Sequence, residues 1–129
     1  MVLYLDSSAL VKLVMEELES AALRAVLEAS GDLVSSGLAR VELRRAVMRR
    51  APPVGRAAEA LLARLALMPL DERVLDLAGG LEPPALRSLD AVHLASAQLL
   101  GGRLHRFITY DRRLGEAART AGLRVAAPA

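Results

Sequence analysis

The sequence has no cysteine, no tryptophan and few aromatic residues of any kind. The lack of cysteine excludes disulfides, zinc ribbons, iron–sulfur clusters and a thiol nucleophile. The only aromatic residues are Tyr4, Phe107 and Tyr110, so base stacking cannot be the main mode of any nucleic-acid recognition. The core must therefore consist mainly of Leu, Val and Ala, in keeping with a hydrophobic content of 53%.

Long apolar runs are also missing. No apolar segment reaches the roughly 20 residues that a membrane-spanning helix needs. The N-terminus has no basic segment ahead of an apolar stretch, which argues against a signal peptide. The absence of cysteine suits a reducing compartment. We therefore expect a cytoplasmic protein with no membrane association.

Lysine is scarce as well: Lys12 is the single lysine among 17 basic residues, and the net charge is +2. Arginine suits bidentate contacts with phosphate, but a GC-rich genome would produce the same bias, so both explanations stay open. A mean hydropathy of +0.32 is high for a soluble chain. This value suggests apolar surface that is shared with a partner chain.

The chain of 129 residues is the size of one domain, spanning residues 1–129, in which strand-like and helix-like segments alternate. Strands are predicted over 2–5, 33–35, 106–109 and 123–126, with a brief one at 68–70. Helices are predicted over 8–15, 17–30, 37–50, 54–67, 72–78, 89–100 and 111–122, with Pro52 and Pro53 breaking the third. This alternation predicts an α/β fold with a parallel sheet of about four to five strands and helices on both faces.

Acidic residues follow two of the predicted strands. Asp6 comes directly after the apolar run 2–5, and Asp111 lies two residues after Thr109 at the end of a later strand. Ligands of open parallel sheets bind outside the carboxyl ends of the strands. Two acids from opposite ends of the sequence would therefore face one crevice.

Two further acids have unusual surroundings. Glu42 falls within an apolar stripe of its helix, and Asp90 lies in the first turn of a strongly apolar helix. Each has a simple alternative, because Glu42 could pair with Arg45 or Arg49 and Asp90 could interact only with the helix dipole. Four carboxylates at one end of the sheet would nevertheless repel one another by several kcal/mol.

This repulsion can be relieved by raised pKa values or by a divalent cation. A site with oxygen ligands and no cysteine suits Mg²⁺ or Mn²⁺ better than Zn²⁺. A cation held by carboxylates, with open coordination positions, can activate water and stabilise charge on a phosphoryl group. The pattern thus favours a metal-dependent nuclease or phosphatase.

Four blocks, DSSALVKL, ARVEL, RSLDAVHLASA and ITYDRRL, resemble a PIN domain in their order and spacing, and in particular the VapC-type toxins of bacterial and archaeal toxin–antitoxin pairs. The resemblance covers nearly the whole chain and implies a PIN-like three-layer α/β/α fold. It also implies an endoribonuclease, dependent on Mg²⁺ or Mn²⁺, in which metal-bound water attacks an RNA phosphodiester in line. Such proteins are usually homodimers, inhibited by a small antitoxin that inserts into the active-site groove.

The resemblance also assigns site residues. The catalytic and metal-ligating acids of the family correspond to Asp6, Glu42, Asp90 and Asp111. Thr109 and Ser7 match polar positions that support the metal site. Arg112 and Arg113 follow Asp111 directly and could contact RNA phosphates, although paired arginines more often form a solvated face.

Other polar residues are left outside the site. Asp71 precedes a helix and is interpreted as an N-cap. His93 could form a DxxH metal pair with Asp90, but a packed or hydrogen-bonded helix histidine is favoured. Lys12 could meet phosphate or pair with Glu16 at the i,i+4 spacing, and we make no choice between the two.

Alternative functions were weighed against the same residues. A phosphoryl-accepting receiver domain would need a late lysine, and a haloacid-dehalogenase-type phosphatase would need an acid where Ser8 stands. A PIN-domain nuclease of RNA maturation and a non-catalytic RNA- or protein-binding module on the same fold remain as alternatives. The apolar segment 57–67 is suggested as a dimer contact.

Overall fold

The computed structural model describes all 129 residues and contains one parallel sheet of five strands, in the order β3-β2-β1-β4-β5. The strands are β1 (Val2–Leu5), β2 (Asp32–Ser36), β3 (Ala66–Met68), β4 (Leu104–Ile108) and β5 (Val125–Ala126). The helices are α1 (Ser7–Val14), α2 (Ser20–Glu28), α3 (Ala39–Val47), α4 (Pro52–Arg64), α5 (Glu72–Gly79), α6 (Ser88–Gln98) and α7 (Arg112–Thr120). A single 3₁₀ turn, Gly101–Arg103, precedes β4.

The central strand β1 divides the apolar core into two layers. Successive strand side chains point to opposite faces of a sheet. Leu3 and Leu5 accordingly join the cluster formed with α1 to α4, whereas Tyr4 joins the cluster formed with α6 and α7. Helices thus cover both faces of the sheet, and the predicted three-layer α/β/α fold is confirmed.

Several predicted boundaries differ from the structure. Pro52 and Pro53 begin α4 instead of standing before it, because the first helical positions need no N–H donor. The short strand β3 lies at Ala66–Met68, two residues earlier than expected, in register with Val34–Ser36 of β2. Within the suggested dimer contact at 57–67, Leu61, Leu62 and Leu65 fill the chain's own core, whereas Ala57, Ala60 and Ala63 are exposed. The suggested contact was therefore wrong for these leucines and stays a prediction for the exposed residues.

The pairing of β1 with β4 determines where the acidic residues meet. Leu5 is the register partner of Ile108, and the backbone N–H of Asp6 donates to the carbonyl of Ile108 at 3.2 Å. The residues just beyond these strand ends, Asp6 and Thr109, are therefore neighbours although they are far apart in sequence. None of the helices has the length and apolarity required to cross a membrane.

Candidate active site

Asp6 is almost fully buried, with 2% of its surface exposed. Its Oδ1 accepts hydrogen bonds from the N–H of Ala9 (3.1 Å) and the hydroxyl of Ser8 (2.7 Å), so Asp6 is the N-cap of α1. Its Oδ2 accepts a hydrogen bond from Thr109 Oγ1 at 2.6 Å. A carboxylate offers about four acceptor sites. Oδ2 consequently keeps room for one further partner.

Two hydroxyls join the end of β4 to the start of α1. Thr109 Oγ1 donates to Asp6 and accepts from the N–H of Asp111 at 3.0 Å. Ser8 Oγ donates to Asp6 and accepts from the N–H of Tyr110 at 2.9 Å. Thr109 and Ser8 together fix the orientation of the Asp6 carboxylate.

The serine that makes a side-chain hydrogen bond to Asp6 is Ser8 and not Ser7, the serine that the family resemblance assigns to the site. Ser7 and Ser8 both line an open cleft together with Glu42, but only Ser8 makes a hydrogen bond to Asp6. The signal that could have identified Ser8 is its i+2 spacing from an N-cap aspartate, which brings a hydroxyl within reach of that carboxylate.

Asp111 is the N-cap of α7. Its Oδ1 accepts from the N–H of Leu114 at 2.9 Å, and its Oδ2 has no hydrogen bond from the protein. Arg112 and Arg113 occupy the exposed first turn of that helix. Asp111 is thus held as a helix cap and still has one free oxygen.

Asp90 lies half-buried in the first turn of α6. Burial raises the pKa of Asp90, and repulsion from Asp111 and Asp6 raises it further, against the opposing effects of His93 and Arg87. The carboxylate receives no hydrogen bond that would offset these costs. The charges of Asp111 and Asp6 therefore both act on Asp90 and disfavour its ionised form.

The pKa of Asp6 is also raised, in this case mainly by burial. The hydrogen bonds from Ser8, Thr109 and the N–H of Ala9 oppose this rise, because each of them stabilises the charged form. The hydrogen bonds therefore offset only part of the cost of burying the charged form of Asp6, and a neighbouring positive charge would stabilise that form further.

Glu42 reaches the site from the first turn of α3, with 17% of its side chain exposed. Its Oε1 lies 2.6 Å from Nε2 of His93, and Nδ1 of His93 lies 2.8 Å from the hydroxyl of Tyr4. His93 is fully buried on α6, one turn after Asp90. The interpretation of His93 as a hydrogen-bonded helix histidine is confirmed, and neither of its ring nitrogens is free to bind a metal.

Glu42 also forms part of the wall of an open cleft of about 510 Å³. Lys12 lines the same cleft, with its Nζ 2.8 Å from Glu19, 3.0 Å from Glu17 and 4.7 Å from the centroid of the Tyr110 ring. The lysine is therefore fully paired and does not contact Glu16. Glu16 pairs instead with Arg24.

We expect the Lys12→Met variant to have a lower thermal midpoint, by about 2–5 °C. The Lys12 side chain is only 11% exposed, and its removal leaves Glu17 and Glu19 without the cation that holds segment 15–19 against α1. The matched control is Arg24→Met, which breaks an ion pair whose arginine is 45% exposed and should shift the midpoint by only about 1 °C. Equal shifts in the two variants, measured by calorimetry, would contradict this role of Lys12.

The donors available at the site are oxygen atoms only. Oδ2 of Asp6, Oδ2 of Asp111 and both oxygens of Asp90 retain acceptor capacity, which suits a hard cation such as Mg²⁺ or Mn²⁺. No three His, Asp or Glu side chains are grouped closely enough to form a ready metal site.

One known protein family, together with individual proteins of similar sequence, matches this chain over most of its length. The PIN domain family model matches residues 3–120. Ribonuclease VapC46 of Mycobacterium tuberculosis is 52% identical over 126 residues, an alignment that covers 98% of this chain and 97% of the relative. Ribonuclease VapC35 of the same species is 44% identical over 130 residues, with 98% and 96% coverage.

Solved structures share the fold at low sequence identity. VapBC2 from Rickettsia felis, bound to a DNA fragment from its promoter, matches with a TM-score of 0.73 and 13% identity over the whole of both chains. VapC20 of Mycobacterium tuberculosis, a toxin that cleaves the sarcin–ricin loop, matches with a TM-score of 0.75 and 12% identity over 98% of this chain and 99% of the other. These two structures are evidence for the fold alone.

Proposed function

The chain belongs to the PIN-domain family and, within it, to the VapC ribonucleases, and we propose that it is the toxin endoribonuclease of a VapBC-type pair, acting on RNA with a bound Mg²⁺ or Mn²⁺. The observation that most supports cation dependence is the position of Asp90 on α6, where it has no hydrogen bond from the protein and where Asp111 and Asp6 raise its pKa. The cost of this repulsion is removed when a divalent cation binds.

Each acid has a distinct part in this proposal. Asp6, Asp90 and Asp111 would hold the cation through the oxygens that retain acceptor capacity. When bound, the cation supplies a Lewis acid that lowers the pKa of water and offsets charge on the phosphate. Glu42, whose Oε2 has no hydrogen bond from the protein, completes the acidic set and orients the attacking water. The water oxygen would bond to phosphorus and release a proton to solvent, while the bond to the departing ester oxygen breaks and that oxygen takes up a proton from solvent.

Binding of RNA involves charge and shape more than base stacking, because the chain has so few aromatic residues. Arg112 and Arg113 are exposed in the first turn of α7, directly after Asp111, and in this proposal they contact the phosphate backbone. Lys12 is excluded from that role, because Glu17 and Glu19 already neutralise it.

The experiment that tests cation dependence is RNA cleavage by the purified chain with Mn²⁺, with Mg²⁺ and with excess EDTA. We expect EDTA to lower the initial rate by about 100-fold or more and added Mn²⁺ to restore it. Cleavage at an unchanged rate in EDTA would contradict the metal mechanism. Failure to cleave any RNA with either cation would instead favour the non-catalytic alternative.

We also propose a small antitoxin as the partner of this chain, a homodimer as its assembly, and the cytoplasm as its location. The antitoxin proposal is supported by the sequence relatives of the VapC type and by the VapBC complex from Rickettsia felis, which has the same fold. The homodimer proposal rests on the high mean hydropathy of +0.32 and on the exposed apolar side chains, among them Val41, Met48 and Leu89.

A further inference from the structure

A buried chain of three side chains connects the core to the cleft wall. The hydroxyl of Tyr4 lies 2.8 Å from Nδ1 of His93, and Nε2 of His93 lies 2.6 Å from Oε1 of Glu42. Tyr4 and His93 are completely buried, so neither reaches substrate or solvent. The mechanism proposed above uses neither residue.

Aromatic packing holds the Tyr4 and His93 side chains in place. The Tyr4 ring stacks on Phe107 with a centroid distance of 5.3 Å and an interplanar angle of 9°. The His93 ring meets the edge of Tyr4 at 5.9 Å and 77°. The imidazole therefore has a fixed orientation before it meets Glu42, since its neighbours come from the sheet and not from a mobile loop.

The acceptor determines the direction of the hydrogen bond to Glu42: a carboxylate oxygen only accepts, so Nε2 of His93 donates to Glu42 Oε1. A phenol hydroxyl can donate or accept, and the Tyr4 hydroxyl accordingly partners Nδ1 on the other side of the ring. Glu42 Oε2 remains without a protein donor.

Glu42 needs such a constraint because of its neighbours on α3. A glutamate side chain loses up to about 2 kcal/mol of rotamer entropy when it is fixed. Arg45 lies at the i+3 position, where an ion pair would draw the carboxylate toward solvent. The hydrogen bond from His93 holds it on the side of the helix that faces Asp90's helix, α6.

We propose that His93, oriented by Tyr4, is a positioning residue that holds the Glu42 carboxylate ready for the cation and its water. This inference rests on the proposed function, because it presumes that Glu42 belongs to a cation site. Hydrogen-bond partners behind a metal site commonly change affinity by about 10- to 100-fold when they are removed. His93 is such a hydrogen-bond partner of Glu42, and Tyr4 is in turn the partner of His93.

The test measures Mn²⁺ affinity by calorimetry, together with kcat and KM for RNA cleavage, in the full chain. The His93→Leu variant removes the donor and puts an apolar side chain of similar bulk in its place. We expect it to weaken Mn²⁺ binding about 10- to 100-fold and to lower kcat more than it raises KM. His93→Gln retains an N–H donor and should recover most of the affinity. Tyr4→Phe removes only the hydroxyl and should weaken binding by a smaller factor, about 3- to 10-fold.

A double-mutant cycle keeps the test decisive if His93→Leu fails to fold. Tyr4→Phe should weaken Mn²⁺ binding in the wild-type background and have no further effect in the Glu42→Gln background, because its effect acts through that carboxylate. Equal effects in both backgrounds, or wild-type affinity in a folded His93→Leu variant, would overturn the positioning role. Absence of Mn²⁺ binding by the wild-type chain would instead contradict the proposed function itself.

Discussion

The Asp111→Asn variant should lose RNA cleavage, whereas Asp71→Asn should cleave at close to the wild-type rate. The two residues have the same local role: Asp111 accepts from the N–H of Leu114 at 2.9 Å, and Asp71 accepts from the N–H of Val74 at 3.0 Å. Asparagine caps a helix about as well as aspartate, so both variants should keep their thermal midpoints within about 2 °C. What separates them is the position of Asp111 beside Asp90.

The size of the expected loss follows from the chemistry. Replacing a charged oxygen ligand by an amide removes part of the charge that holds the cation, and we expect the initial rate to fall by about 100-fold or more. The measurement is the initial rate at saturating Mn²⁺, with thermal unfolding recorded for the same samples. Equal loss of cleavage in both variants would attribute it to helix capping, and wild-type cleavage by Asp111→Asn would remove Asp111 from the site.

Local patterns in the sequence were sufficient to predict the sheet and the point where β1 ends, although other strand bounds differ by one or two residues. The run 2–5 alternates between the two core layers and ends at Asp6, and both features depend only on neighbouring residues. The same holds for Asp111, which the sequence places at the start of a predicted helix and in the candidate site, and which the structure shows as a helix cap. The parallel pairing of β1 with β4 then makes the two strand ends adjacent.

Contacts that depend on tertiary structure were not predictable in the same way. The i,i+4 rule suggested Glu16 as the partner of Lys12, but that rule assumes a continuous helix, and α1 ends at Val14. Beyond this end the chain turns, and Glu17 and Glu19 reach the lysine instead. An ion pair made by a loop has no fixed spacing in the sequence.

The contact between Glu42 and His93 had even less of a signal in the sequence. The two residues lie 51 positions apart, on helices α3 and α6 that cover opposite faces of the sheet. A helical wheel could place Glu42 in an apolar stripe, but it could not identify the buried donor that makes this position tolerable. Only the packed structure shows how the carboxylate is satisfied.

The Asp90→Asn variant should lose cleavage and yet, in EDTA, unfold at a higher temperature than the wild type. Burial and repulsion from Asp111 and Asp6 make the charged form of Asp90 unfavourable, and no hydrogen bond is lost on replacement. Asp90 is half-exposed, so solvent screens much of this cost, and we expect a gain of about 2–5 °C. Asp6→Asn is a less suitable probe, because an amide would meet the hydroxyl that Thr109 donates to Oδ2.

The pH dependence of this gain follows from the direction of the pKa shift. The folded chain holds the Asp90 proton to a higher pH than the unfolded chain, where the pKa is near its ordinary value of 3.8. The contribution of Asp90 to stability is therefore most favourable below pH 3.8 and declines as pH rises through the folded pKa. The midpoints of wild type and Asp90→Asn in EDTA should converge near pH 4 and separate toward pH 7.

Cation binding should reverse the order of the two proteins. A ligand that binds only the folded state stabilises it in proportion to its affinity, so Mn²⁺ should raise the midpoint of the wild type more than that of Asp90→Asn. A variant that is less stable than the wild type at pH 7 in EDTA would mean that the Asp90 carboxylate makes a favourable contact within the protein. In that case the Asp90 charge would stabilise the folded chain, and repulsion at this site would not explain why it binds a cation.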